Sequence, residues 1–129
     1  MKLQHMLVAV LGVSAGLIGA ACADALTEKQ KAAVMTAVRD ELKDPDSAQF
    51  KWLDIPAALK AESGTLPYCV LVNAKNSYGG YVGFKPMQII LYTKPDGSAV
   101  AIVMNPPSDD PEIVESVNSE LCSKKGYKL

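Results

Sequence analysis

Two cysteines, Cys69 and Cys122, constrain this chain more than any other feature. They are the only cysteines beyond residue 22, and what they imply depends on the compartment. The first 23 residues speak to that. Lys2 is followed by an uncharged apolar run from Met6 that ends in small residues up to Ala23. A positive start, an apolar stretch and a small-x-small end are the marks of a secretory signal peptide. We expect residues 1–23 to be such a leader, cut after Ala21-Cys22-Ala23, and residues 24–129 to form one domain. The alternative is a lipoprotein in which Gly19-Ala20-Ala21-Cys22 serves as the lipidation box; the leader is then 1–21 and Cys22 carries the lipid. The apolar run is short and rich in Gly and Ala for a membrane-spanning helix.

Export turns the cysteine pair into an expected disulfide, because exported proteins fold under oxidising conditions. A Cys69–Cys122 bond would close a loop of roughly 50 residues, worth about 4 kcal/mol in the chain-entropy account. Removing the leader also removes the one histidine, His5, and the charge of Lys2. Of 129 residues, 106 remain. Their 12 Lys and Arg (13 less Lys2) face 14 Asp and Glu, a net charge of −2. Without histidine there is no Ser-His or Cys-His nucleophile pair, and the commonest transition-metal ligand is missing. No metal and no cofactor are expected. The acidic balance gives no footprint for nucleic acid.

The rest of the chain predicts one α+β domain. Leu26–Lys43 reads as a helix opened by the capping box Thr27-x-x-Gln30 and stopped before Asp44-Pro45. Strands are expected at 48–55 and 68–75, then an interrupted one over 81–84 and 87–93, and a last one at 98–104. Lys94-Pro95-Asp96-Gly97 is a hairpin turn. Ser108-Asp109-Asp110-Pro111 opens a final helix closed at Gly126. The order is helix, about four antiparallel strands, helix, with both helices expected on one face of the sheet.

The segment 73–86 stands apart. Four of the chain's eight aromatics, Tyr68, Tyr78, Tyr81 and Phe84, fall between residues 68 and 84. No acid lies between Glu62 and Asp96, while Lys75 and Lys85 flank the glycines. Tyrosine gives large contact area at small entropic cost, and lysine meets anionic groups. Asn73, Lys75, Asn76, Tyr78, Tyr81 and Lys85 are therefore the candidate partner-binding residues. The glycines make no phosphate-loop pattern. Asp44 with Asp46 reads as turn chemistry, and Asp109, Asp110 and Glu112 as a helix cap. Trp52 and Phe50 read as core, and Lys75 with Ser77 makes a poor nucleophile–base pair.

On Asp44-Pro-Asp-Ser-Ala-Gln-Phe50 and Cys69-Val-Leu-Val-Asn-Ala-Lys-Asn-Ser-Tyr-Gly-Gly-Tyr-Val-Gly-Phe-Lys-Pro86 the chain resembles a group of small exported bacterial proteins, many of them called lipoproteins. The likeness covers about the first half of the chain beyond its leader and implies no catalytic role. That group often has an aromatic after the proline, where Met87 stands here.

The expectation from sequence is a small periplasmic or secreted binding module, of inhibitor or immunity type, that engages an envelope protein or a cell-wall ligand through residues 73–85. Such a chain meets no nucleic acid, and meets a membrane only through a lipid on Cys22, as an outer-membrane lipoprotein. It is not expected to be an enzyme. The alternatives are an envelope enzyme built on carboxylates or Lys/Tyr, and a structural envelope lipoprotein without a specific ligand.

Overall fold

A computed structural model describes residues 25–59 and 64–129; the expected leader and Cys22 lie outside them. The order is helix α1 (Glu28–Asp40), strands β1 (Gln49–Trp52), β2 (Thr65–Asn73), β3 (Lys85–Thr93) and β4 (Ala99–Met104), then helix α2 (Pro111–Lys124). The strands form one antiparallel sheet in the order β1-β2-β3-β4. The α+β class, the sheet and the helix–sheet–helix order are as expected.

Local chemistry sets the helix ends. Thr27 Oγ1 accepts from the Gln30 amide at 3.2 Å, and Gln30 Oε1 accepts from the Thr27 amide at 2.8 Å, closing the capping box. Asp110 caps α2 by accepting from the amide of Glu112, with Pro111 in the first turn where no amide is needed. Prolines 67 and 86 both sit inside strands. Pro67 lies beyond the end of β1, and Pro86 beyond the end of β4, so neither has to donate to a neighbour on that side.

The helices take opposite faces of the sheet, which corrects the expectation that they share one. Strand side chains alternate between faces, and residues paired across a ladder share a face. Tyr68, Val70, Val72, Ile89 and Leu91 lie on the side of α1, whose Val34 and Val38 are fully buried. Gln30 donates to Thr93 Oγ1 at 2.9 Å on that side. Cys69 and Gln88 are paired on the other side, and both reach α2. The physical reason is that β2 is buried on both faces from Tyr68 to Val72. One helix covers one face only, so two are needed.

The expected Cys69–Cys122 disulfide is present, with a Cα–Cα distance of 6.0 Å, and ties β2 to α2. Beside it, Asn118 is the one buried polar residue among those described. Its amide donates to the Pro86 carbonyl at 3.1 Å, and its oxygen accepts from Gln88 Nε2 at 2.8 Å. Past α2, Tyr127 packs edge-on against Tyr68, with ring centroids 5.7 Å apart, and donates to the Pro67 carbonyl at 2.9 Å. Burial pushes the Tyr68 phenol up to about 12 and the Tyr127 phenol higher still. Among the described residues no helix is long and apolar enough to cross a membrane.

Candidate functional site

Residues 74–84 join β2 to β3. Their backbone is tied down from within. Asn76 Oδ1 accepts from the amides of Tyr78 at 3.0 Å and Gly80 at 3.2 Å, and the Asn76 amide donates to the Gly80 carbonyl at 2.9 Å. This is the Asx-type closure that asparagine offers a turn. Gly79 and Gly83 hold φ of 78° and 93°, where a side chain would strain the backbone. Tyr81 touches β-structure only through an isolated bridge to Lys75, so the strand expected over 81–84 does not form. The positive φ at Gly83 turns the chain out of strand geometry before β3 begins.

The loop is also bolted to the rest of the fold, and Ser47 is the bolt. Its hydroxyl donates to the Asp44 carbonyl at 2.7 Å and accepts from the Lys75 amide at 2.9 Å. Its carbonyl accepts from the Tyr81 hydroxyl at 3.0 Å. Asn73 works beside it, donating to Gln49 Oε1 at 3.2 Å and accepting from the Gly83 amide at 3.0 Å. The Asp44–Phe50 segment and the 73–86 segment, separate in sequence, thus hold each other in space. Ser47 is the site residue that sequence reasoning missed. Its signals were its place in the turn after Pro45 and in the Asp44–Phe50 segment.

What the loop leaves outside is apolar. Tyr78 is 97% exposed, and the large side chains of Tyr81, Val82 and Phe84 are each about half exposed. None belongs to the hydrophobic core. Lys75 Nζ stands 5.6 Å from the centre of the Tyr81 ring, a cation–π approach.

Behind the loop lies a cleft of about 500 Å³, a size typical of ligand pockets. Three of the six candidate residues, Lys75, Asn76 and Lys85, line it together with the end of α1, the start of α2 and the segment joining β4 to α2. Tyr78 stands away from it at the tip, and Asn73 serves the loop's anchorage. Lys85 is paired with Glu115 of α2 at 2.7 Å. The Ser77 hydroxyl accepts from Lys43 Nζ at 3.0 Å. Phe50 and Trp52 stack with centroids 5.4 Å apart and pack against the core, under Arg39 and Lys31 of α1.

Among the described residues no group of His, Cys, Asp or Glu could hold a metal ion. The arrangement offers contact surface, cations and fixed amides. No protein-family model, curated protein or solved structure matches this chain.

Proposed function

We propose that this chain is an exported binding module that captures another envelope component through residues 73–85. One observation carries the reading. The loop's backbone is fixed by hydrogen bonds to Asn76, Ser47 and Asn73 while Tyr78 stands in solvent and Tyr81, Val82 and Phe84 are half exposed. Clustered exposed apolar surface marks interaction sites. A loop already fixed in its binding shape loses little entropy on capture, and tyrosine is the residue that best exploits this. Export, through residues 1–23 as a leader, agrees with the Cys69–Cys122 bond, which needs an oxidising compartment.

The test is affinity capture from an envelope extract with the oxidised protein. Replacing Lys75, Tyr78 and Tyr81 together by alanine should abolish capture of any partner held by the wild type. Tyr78→Ala alone should weaken it severely without touching an anchoring bond. Undiminished capture by both variants, with the disulfide and circular dichroism unchanged, would overturn the reading.

A further inference from the structure

The cleft behind the loop is dipolar. The end of α1 sends two opposite charges to two different segments of the lining. Lys43 reaches the loop, where its Nζ donates to Ser77 Oγ at 3.0 Å. Glu41, two residues earlier, reaches the segment joining β4 to α2, where its Oε2 accepts from Asn105 Nδ2 at 3.1 Å. Each wall carries a second charge of the same sign. Lys75 stands on the loop side and Asp109 on the segment that holds Asn105. Among the described residues none of these four charges is in an ion pair. Lys85 and Glu115 neutralise each other, and the surface between the walls is mostly apolar, with Val72, Met87 and Val114 contributing.

We infer that the cleft binds a short peptide with both ends free and an apolar side chain. Its carboxylate would lie toward Lys43 and Lys75 and its ammonium toward Glu41 and Asp109. An anionic ligand would meet the acidic wall, and a cationic ligand the lysines. A neutral apolar ligand would leave both pairs of charges without a partner. Only a ligand with separated opposite charges is complementary to all three parts, and complementarity of this kind gives specificity above all. A tripeptide spans about 10 Å when extended, in keeping with a cavity of this volume. The inference shares Lys75 with the loop reading but does not need Tyr78.

The probe is the tripeptide alanyl-leucyl-alanine, titrated into the isotope-labelled oxidised protein and followed by amide chemical shifts. Shifts should centre on residues around Val72, Met87 and Asn118. Acetylating the peptide's amine, or amidating its carboxylate, should each weaken binding about two- to fivefold, the range for partly exposed charge pairs. Asp109→Asn, which leaves Glu41 in place, should shrink the penalty of acetylation and leave that of amidation unchanged. Lys75→Ala should do the reverse. No shifts up to about 10 mM peptide, ten times a weak millimolar Kd, would overturn the inference. So would equal binding of the capped and free peptides. Tyr78→Ala separates the two readings. It should spare peptide binding and remove partner capture, so failure of the peptide with capture intact sinks the cleft alone, whereas intact capture by Tyr78→Ala sinks the loop reading alone.

Discussion

The sheet has two hairpin connections on β3, and they are built to opposite ends. Residues 94–98 join β3 to β4 with nothing to spare. The Lys94 amide donates to the Ser98 carbonyl at 2.8 Å and the Gly97 amide to the Lys94 carbonyl at 2.9 Å. Asp96 Oδ1 accepts from the Ser98 amide at 2.8 Å and from its hydroxyl at 2.6 Å. Every bond is local, and no large apolar side chain stands out. Residues 74–84 do the same topological task with more than twice the chain. They reach across to Ser47, bury none of their apolar side chains in the core and display four of them. Turning a strand around needs only the first design. What the second adds is a fixed apolar surface, the feature on which the proposed binding role rests.

The largest effect should fall on both hairpins alike. Replacing Cys69 and Cys122 by serine should lower stability by about 4 kcal/mol, read as a shift of the urea midpoint. Amide exchange should then rise in the frame that carries both connections. Exchange confined to residues 74–84 would mean that the disulfide serves the long loop alone and would break the comparison. Alkaline pH is the next lever. Burial holds the Tyr68 phenol up at about 12, a shift partly offset by its bond to the Leu53 amide and reinforced by Asp54. The phenol ionises near 10 in the unfolded chain, so the folded state is favoured in full below pH 10. That advantage is lost as pH rises from 10 through 12, an effect of about 2–3 kcal/mol. Tyr68→Phe should reduce this slope and leave the part that the buried Tyr127 phenol supplies. A denaturation profile unchanged between pH 9 and 12 would contradict the burial of this phenol.

Much of this design was legible in the sequence because it is local. The capping box of α1, the cap of α2 and the Lys94–Gly97 turn each depend on residues within a few positions. So did the polarity of residues 73–86. The faces taken by the helices were not legible. From Tyr68 to Val72 the strand is apolar on both faces, and a period of two cannot say which helix covers which. The role of Ser47 was hidden for another reason. Its partners Lys75 and Tyr81 lie 28 and 34 residues away, and a serine after a proline looks the same with or without them. The oppositely charged segments of the cleft need the whole fold, since Glu41 and Lys43 part company only when Asn105 and Ser77 are in place.

Two smaller perturbations sharpen the contrast between the hairpins. Asn76→Ala removes the acceptor for two amides at an exposed position and should cost about 1 kcal/mol. Amide exchange should speed up over residues 76–83 and stay unchanged over 94–98. If the long loop kept its protection, the anchors at Ser47 and Asn73 would be sufficient, and Asn76 would be redundant.

The smallest effect on stability is the most telling. Among the described residues the Tyr78 side chain has no hydrogen-bond partner, and it is 97% exposed. Its amide is what Asn76 holds, and alanine keeps that amide. Tyr78→Ala should therefore change stability by less than about 0.5 kcal/mol, as surface substitutions do. A tyrosine kept only to shape the turn predicts a measurable loss on its removal. A tyrosine kept for contact predicts an unchanged unfolding midpoint, unchanged exchange over 74–84, and partner capture lost with a faster off-rate. Hot-spot aromatics commonly carry 2 kcal/mol or more of a binding energy, roughly a thirtyfold change in Kd. The two measurements on one variant thus separate display from architecture at the position where the two hairpins differ most.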